Sequence, residues 1–246
     1  MSLKVKDINF GYRGNTLLIK NISFEIEQGK TLGIVGVSGT GKSTILKLIA
    51  SFLKTNVNIY NTGSITFNEL SVDNLKQQGK FSFMFQEPTL MPNLTVLENI
   101  KLPSKILKVN EPEDLNETIK LVGLSDFINS YPSSLSGGMK TRVSLARSFI
   151  TDPDLLLLDE PFSALDIGWK SRLYDELSIL QKKHNTTIVL VSHDIEEVFK
   201  ISDKIIVLGC DGNLIYSNQI ESILNKDKAI TEVKELVLNN HKSYFN

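Results

Sequence analysis

The segment TLGIVGVSGTGKS, residues Thr31–Ser43, decides the fold of this chain. It begins as a short apolar run of strand length. Residues 36–43 then match the pattern G-x-x-x-x-G-K-[ST], and an apolar-periodic helix follows through Leu48. Glycines let backbone N–H groups turn inward around phosphate oxygens, where a Cβ atom would obstruct them, and the helix N-terminus adds partial positive charge. The segment therefore predicts a strand–loop–helix unit that binds nucleotide phosphates.

Two side chains of this loop have predicted roles of their own. Lys42 can reach the β and γ phosphates, and the hydroxyl of Ser43 can ligate Mg²⁺. A glycine-rich link without a ligand is the alternative, which is disfavoured because strand, spacing, lysine and hydroxyl all agree. The motif does not separate ATP from GTP.

A second segment, LLLLDEP at Leu155–Pro161, supplies two acidic side chains. A buried parallel strand delivers them at its carboxyl end, which is where the ligands of such sheets bind. Asp159 is predicted to hold Mg²⁺, usually through water, and Glu160 to orient or deprotonate the attacking water. The alternative is a strand that ends in solvated acids, and it loses weight beside the loop that carries Lys42.

Composition narrows the class of protein. The chain has 246 residues, of which 41% are hydrophobic, and 27 Lys and Arg against 28 Asp and Glu give a net charge of -1. This balance argues against a nucleic-acid partner. The single cysteine, Cys210, favours a reducing compartment. No run reaches the roughly 18 apolar residues of a membrane span, and the N-terminus has no signal-peptide core, so a soluble, non-exported chain is expected.

The order of strand and helix patterns predicts a single domain over residues 1–246. Residues 1–87 and 153–220 form an α/β core, because strands there alternate with helices. Residues 88–152 form a helical insertion, and residues 221–246 a short helical tail. The insertion is punctuated by Pro92, Pro103, Pro112 and Pro132. Each of these prolines disfavours helix at the residue before it.

The segment LSGGMKTRVSLAR, Leu135–Arg147, completes an ordered set of motifs. Together with the phosphate loop and LLLLDEP, it resembles the ATP-binding cassette (ABC) ATPases, and the resemblance covers about residues 3–220. It implies the α/β fold of a P-loop NTPase (ABC ATPase) core, with a mostly parallel sheet, N-terminal antiparallel β strands and a helical subdomain insertion. It also implies ATP and Mg²⁺ as ligands and ATP hydrolysis as the activity.

The signature segment, Leu135–Met139, has a physical interpretation of its own. Ser136 can cap a helix whose first turn, with Gly137 and Gly138, exposes bare N–H groups, and this makes a second anion site. A plain glycine-containing helix start is the alternative. By resemblance, the second site binds the γ-phosphate held by another copy of the chain, in a head-to-tail homodimer with two ATPs at the seam.

Three more site residues follow from the resemblance. Tyr12 looks like the aromatic residue that stacks on adenine, Gln86 like the glutamine that meets Mg²⁺ and the lytic water, and His193 like the histidine that contacts the γ-phosphate. The alternatives are a solvent-facing tyrosine, an ordinary polar residue and a structural histidine, each at the end of a strand.

The predicted site residues form five sets. The ATP-binding set is Tyr12, Gly36, Val37, Ser38, Gly39, Thr40, Gly41, Lys42, Ser43 and Thr44. The catalytic set is Lys42, Gln86, Glu160 and His193, and the metal set is Ser43, Gln86 and Asp159. The signature set is Leu135, Ser136, Gly137, Gly138 and Met139. The dimer-seam loop, which the resemblance places near the opposite site, is Ser163, Ala164, Leu165 and Asp166.

Two features depart from the usual family pattern. The fifth signature residue is usually Gln and here is Met139, which cannot donate the same hydrogen bonds; activity is expected to survive because Ser136, Gly137 and Gly138 remain. The form SGGMK, with PFSALD after the acidic pair, resembles importers for nitrate, sulfonates, taurine and pyrimidine precursors. The second departure is the C-terminal tail, residues 221–246, which is too short for an added regulatory domain.

The resemblance implies a transport partner. A cassette without a membrane span needs a separate permease, which is expected to dock near Gln86–Lys101. Apolar contacts there would come from Phe85, Leu90, Met91, Leu94 and Val96. The equal alternative is that these residues pack the insertion onto the core. The chain is then the ATPase of a prokaryotic importer for a small anionic or heterocyclic solute, at the cytoplasmic face of the inner membrane, with a separate solute-binding protein.

Three other functions remain open at this point. One is the ATPase of a lipid-trafficking or efflux complex. Another is a soluble ABC scaffold, for example in iron–sulfur assembly, although a lone Cys210 makes direct cluster ligation improbable. A DNA-repair ATPase is disfavoured because no heptad run splits the cassette.

Overall fold

The structure is a computed structural model that describes residues 1–12, 16–53, 59–112 and 115–245. Glu113 and Asp114, in the predicted helical insertion, and Asn246, in the predicted tail, lie outside the described residues.

The main sheet has six strands in the order β5-β6-β7-β3-β8-β9. Its parallel strands are β3 (Thr31–Gly36), β5 (Phe81–Met84), β6 (Leu155–Asp159), β7 (Thr187–Val191) and β8 (Lys204–Leu208). The edge strand β9 (Leu214–Gln219) pairs antiparallel with β8. The mostly parallel α/β sheet expected from the sequence is therefore confirmed.

A smaller antiparallel sheet holds the N-terminal strands. It has the order β2-β1-β4, with β1 at Ser2–Tyr12, β2 at Ile19–Glu27 and β4 at Ile59–Phe67. Strand β2 alternates between buried and exposed residues along most of its length, as expected for a sheet with one face on the core. The N-terminal antiparallel strands are thus also confirmed.

The two faces of the main sheet bury separate cores. In β6, Leu155 and Leu157 belong to a core shared with the small sheet and helix α1 (Lys42–Ile49). Leu156 and Leu158 belong to a core on the other face. Successive side chains of a strand point to opposite faces, so a strand buried on both sides reads as an unbroken apolar run, as LLLL does here.

The inserted segment contains three of the α-helices. These are α3 (Val96–Leu107), α4 (Leu115–Leu121) and α5 (Gly137–Phe149). Helix α3 begins with a capping box, in which Thr95 and Glu98 satisfy each other's backbone N–H groups. It then continues past Pro103, although a proline disfavours helix at the residue before it. The fully buried Val96 and Ile100 hold α3 in place, and this packing outweighs the one backbone hydrogen bond that proline removes.

The remaining α-helices cover the core. They are α2 (Val72–Gln77), α6 (Ile167–His184), α7 (Ile195–Ile201) and α8 (Lys226–Phe245). Helix α8 is the predicted terminal helix, and it packs Ala229 and Val233 against the core. None of the described helices combines the length and the apolar character needed to cross a membrane.

Candidate nucleotide-binding site

The phosphate loop connects β3 to α1. A Cβ atom built on Gly36 would lie 2.5 Å from the carbonyl oxygen of Leu208, so only glycine fits where the loop leaves the sheet. Gly39 has a φ of +84° and would have nothing within 4 Å of an added Cβ. The backbone is therefore left-handed and bare at the point where it would wrap around an anion. Gly41 occupies the N-cap of α1 and leaves the first N–H groups of that helix without a side-chain cap.

Lys42 is the charged residue of this loop, and it is 7% exposed. Its Nζ donates to the carbonyl oxygens of Gly36 and Val37, at 2.9 and 3.0 Å. Burial lowers the pKa of Lys42, while the charges of Glu160 and Asp159 act in the opposite direction. A desolvated ammonium inside a loop of N–H groups is suited to binding a phosphate.

The acidic pair at the end of β6 lies beside this loop. Ser43 Oγ donates to Asp159 Oδ1 at 2.7 Å, although the two residues are 116 positions apart. Burial raises the pKa of Asp159, and the hydrogen bond from Ser43 opposes that shift. Strands β3 and β6 are both neighbours of β7, and their carboxyl ends lie at the same edge of the sheet.

Glu160 and His193 form a pair at the same edge. The Nδ1 atom of His193, which follows β7, is 2.6 Å from Oε2 of Glu160. Glu160 itself has a φ of +51°, and its N–H donates to Val191 at the end of β7. The left-handed backbone turns its side chain out of the direction of β6 and toward His193.

Oxygen donors at the mouth of the loop fit a magnesium ion. Mg²⁺ prefers hard oxygen ligands and keeps several waters, so a hydroxyl, one or two carboxylates and phosphate oxygens suffice. Ser43 and Asp159 already touch each other there. Among the described residues no group of three or more His, Cys, Asp and Glu is placed to hold a metal.

Two further predicted residues lie at the ends of strands. Gln86 is exposed and comes two residues after β5, whose last pairing with β6 joins Met84 to Leu158. It is therefore at the same edge as the acidic pair. Tyr12 ends β1, is 49% exposed and packs edge-to-face on Phe10, with ring centroids 5.4 Å apart. An exposed ring at the end of a strand is available for stacking.

The signature segment begins α5 as expected. Ser136 is the N-cap, and its Oγ accepts from the backbone N–H of Met139 at 3.2 Å, which confirms the predicted cap. Ser136 and Gly137 are exposed, and a Cβ atom on Gly137 would meet nothing within 4 Å. The side chain of Met139 packs against the core instead. The bare first turn is therefore presented by backbone atoms, whatever the fifth side chain is.

The signature segment and the phosphate loop are separate surfaces of one chain. No hydrogen bond or ion pair joins residues 135–139 to residues 36–44 in the part of the chain that the structure describes. The dimer-seam loop, in contrast, lies against the signature segment and the acidic pair. Ser163 Oγ donates to the carbonyl oxygen of Glu160 at 3.0 Å, and a Cβ atom on Gly138 would lie 3.2 Å from Leu165 Cδ2.

Comparison with known proteins decides the family. The family pattern described as ABC transporter matches residues 19–163, which is more than half of the chain. The chain belongs to the ABC transporter family.

Curated relatives and solved structures agree with this assignment. The chain is 38% identical over 217 residues to the glycine betaine transport ATP-binding protein OpuAA of Bacillus subtilis. The aligned residues cover 86% of this chain and 51% of OpuAA. It is 37% identical over 203 residues to the aliphatic sulfonates import ATP-binding protein SsuB of Bacillus cereus, and the aligned residues cover 82% of this chain and 78% of SsuB. The chain spans about half the length of OpuAA and of several other relatives that it matches.

The solved structures show the same fold. The dimeric post-hydrolysis state of the ATP-binding cassette MJ0796, bound to ADP and Pi, superposes with a TM-score of 0.77 at 28% identity and covers 90% of this chain and 100% of that one. An ATP-binding subunit of an ABC transporter superposes with a TM-score of 0.82 at 23% identity, and the superposition covers 98% of this chain and 100% of that one. The predicted fold class is therefore confirmed.

The cassette also has an apolar groove beside Gln86. Of the residues expected to line a docking surface, Val96 is fully buried, and Leu90 is partly buried against the core, so these two do pack the insertion onto the sheet. Phe85 and Met91 are 41% and 46% exposed. A groove of about 300 Å³ opens next to Phe85, lined by Thr89, Leu102, Pro103, Ile106, Leu107 and Arg147 among others.

Most of this groove lies outside the segment Gln86–Lys101 singled out in the sequence. Its outer wall is the second half of α3, where Leu102 and Ile106 are one turn apart and so share a face. Ile106 is 68% exposed. That spacing is the signal in the sequence for this wall of the groove, because a helix that continues past Pro103 places both side chains on one face.

Proposed function

We propose that this chain is the ATP-binding and ATP-hydrolysing subunit of an ABC importer. The observation that carries the proposal is the grouping of Lys42, Ser43, Asp159, Glu160 and His193 at one edge of the sheet. A lysine in a bare glycine loop, a hydroxyl beside a carboxylate, and a second carboxylate paired with histidine are the parts that phosphoryl transfer to water requires.

The chemistry is divided among these side chains. The N–H groups of residues 39–44 and the ammonium of Lys42 hold the phosphates. Glu160 accepts a proton from the attacking water, and His193 fixes the orientation of that carboxylate. When bound, Mg²⁺ would be held by Ser43, Asp159 and Gln86, and it would neutralise phosphate charge. Tyr12 stacks on the adenine ring.

A second copy of the chain completes each site. The capped start of α5 leaves Ser136 and Gly137 exposed, and its bare first turn can bind an anion. In a head-to-tail homodimer, Ser136, Gly137 and Gly138 of one copy cover the γ-phosphate held by the other. ATP then draws the two copies together, and hydrolysis releases them.

The transport partner is a membrane permease. An amphipathic helix of the permease lies in the groove beside Phe85 and Ile106, near Gln86, so that closure of the dimer is transmitted to the membrane. The cassette works at the cytoplasmic face of a prokaryotic inner membrane. A separate solute-binding protein delivers a small solute, and the names of similar proteins point to sulfonates or betaines as the chemical class.

Affinity capture from native membranes tests the transport role. A tagged chain should retain an integral membrane protein, and the variant Ile106→Glu should lose it. Ile179→Glu is the matched control, because Ile179 is 51% exposed on α6, away from the groove. Capture of a soluble partner alone, unaffected by Ile106→Glu, would replace the importer with a scaffold function.

A further inference from the structure

Trp169 is the only tryptophan of the chain, and it lies at a junction between two elements of the proposed dimer seam. It belongs to the first turn of α6, directly after the dimer-seam loop. Its backbone N–H donates to Oδ1 of Asp166, the last residue of that loop, at 3.0 Å. The position of its ring is therefore tied to the position of the loop.

The other face of the junction is the signature helix α5. The Cζ atom of Arg142 lies 3.9 Å from the centroid of the Trp169 ring, and Arg142 is 6% exposed. Its Nη1 donates to the carbonyl oxygens of Val122 and Gly123, at 2.8 and 3.1 Å. The guanidinium is thus held between the end of α4 and the indole, where a desolvated cation–π contact is at its strongest.

Neighbouring groups are arranged around this stack. A Cβ atom on Gly123, whose φ is +64°, would lie 2.6 Å from Cη2 of Trp169, so the ring needs the bare backbone there. A second cation, Arg172, lies 5.1 Å from the same centroid. Arg172 also donates to Glu176 at 2.7 Å. The charge of Glu176 raises the pKa of Arg142, against the larger effect of burial, which lowers it.

The stack lies close to the residues that would face the partner. Arg142 is four residues beyond Gly138, about one helical turn, and Gly138 itself approaches Leu165 of the dimer-seam loop. The signature helix and the dimer-seam loop with the start of α6 are therefore joined twice, once through Gly138 and Leu165 and once, about a helical turn further along α5, through Arg142 and Trp169.

We propose that Trp169 is a positioning residue for the second copy's site: its stack with Arg142 fixes the signature segment and the dimer-seam loop to each other as one rigid unit. The inference rests on the proposed homodimer. Trp169 lies outside the predicted ATP-binding and catalytic sets, and it acts only through the residues that its own chain offers to the partner. Its loss should therefore impair the partner's site and leave its own intact.

Mixing experiments separate this role from general damage. When a chain with Glu160→Gln is in large excess, nearly every active chain has an inactive partner that supplies its signature segment. Adding Trp169→Leu to the excess chain should reduce turnover per active chain by about tenfold, the order expected for a buried cation–π contact. Placing Trp169→Leu on the active chain instead should leave turnover unchanged, because that chain's signature serves only the inactive site.

Two variants act as controls. Trp169→Phe keeps an aromatic face for the arginines and should restore most of the activity. Phe127→Leu removes an aromatic ring that is 39% exposed in the helical subdomain, and it should have no effect in either mixture. Equal losses in both mixtures, or no loss in either, would overturn the proposal.

Hydrogen exchange tests the junction without any nucleotide. Peptides covering residues 137–146 should exchange faster in Trp169→Leu than in Trp169→Phe, while both variants melt cooperatively. Unchanged exchange would show that the stack does not hold the signature helix. Full turnover by the Glu160→Gln chain alone would instead count against the proposed catalytic base, and the exchange result would still decide the role of Trp169.

Discussion

Replacing Glu160 with glutamine is the most direct test of the catalytic edge. Glutamine keeps the shape of the side chain and an oxygen that can face Nδ1 of His193, which is 2.6 Å from Oε2 in the native pair. It removes the charge and the ability to accept a proton. A general base contributes about 10²–10⁴-fold, so we predict a loss of turnover of at least about 10²-fold, equivalent to roughly 3 kcal/mol of activation free energy.

The same substitution should spare ATP binding. The Glu160 carboxylate raises the pKa of Lys42, so its negative charge acts near the phosphate loop. Removing that charge reduces repulsion of the triphosphate, and affinity should stay constant or increase slightly. With ATP bound and not hydrolysed, the variant should accumulate as a dimer.

Three measurements decide this prediction. They are ATP turnover at saturating Mg²⁺-ATP, ATP affinity by calorimetry and molecular mass by light scattering. Glu235→Gln is the matched control, since it removes one exposed carboxylate on α8. Turnover at the wild-type rate would refute the role of Glu160 as a base, and a parallel loss of ATP affinity would assign it to binding instead.

Four other perturbations have defined outcomes. Lys42→Ala should abolish most nucleotide affinity, as measured by calorimetry. Lys47→Ala should not, because Lys47 is an exposed lysine of the same helix. Equal affinities of the two variants would contradict the phosphate-loop argument. Ser136→Arg should prevent the ATP-induced increase in mass by scattering while the monomer still binds ATP; normal closure would remove the shared site. Burial raises the pKa of Asp159, so its charged form destabilises the fold above its ordinary pKa of 3.8. Asp159→Asn should therefore raise the melting temperature at pH 7 without nucleotide, and this gain in melting temperature should shrink toward pH 4. A gain that does not depend on pH would point to another cause. Leu157→Ala, at a side chain that is 0% exposed, should reduce the free energy of unfolding by about 2–5 kcal/mol in denaturant titration, and a smaller change would mean that the core collapses around the cavity.

Local patterns in the sequence were enough for the fold class and for most of the candidate site. The residues of the phosphate loop are adjacent along the chain, so their spacing already determines a turn of bare N–H groups at a helix start. The same holds for Ser136, whose cap on α5 depends on a residue only three positions away. The apolar run before Asp159 predicts a strand buried on both faces, and the family follows from the order of the motifs. The roles given to the site residues remain predictions.

Tertiary packing decided the features that local rules misjudged. Helix α3 continues through Pro103 because Val96 and Ile100 are buried against the rest of the molecule, and a rule about one backbone bond cannot weigh that burial. The groove beside Phe85 depends on the same packing, since its outer wall is the part of α3 from Leu102 to Leu107.

The sequence by itself thus determined which chemical groups this protein carries and on which strands and helices they lie. It did not determine which of them meet. His193 touches Glu160 across 33 positions, and Arg142 of the signature helix stacks on Trp169 of another helix, because the sheet order and the shared core beneath the helices bring them together. Such contacts depend on the summed burial of two cores, which no short stretch of sequence contains.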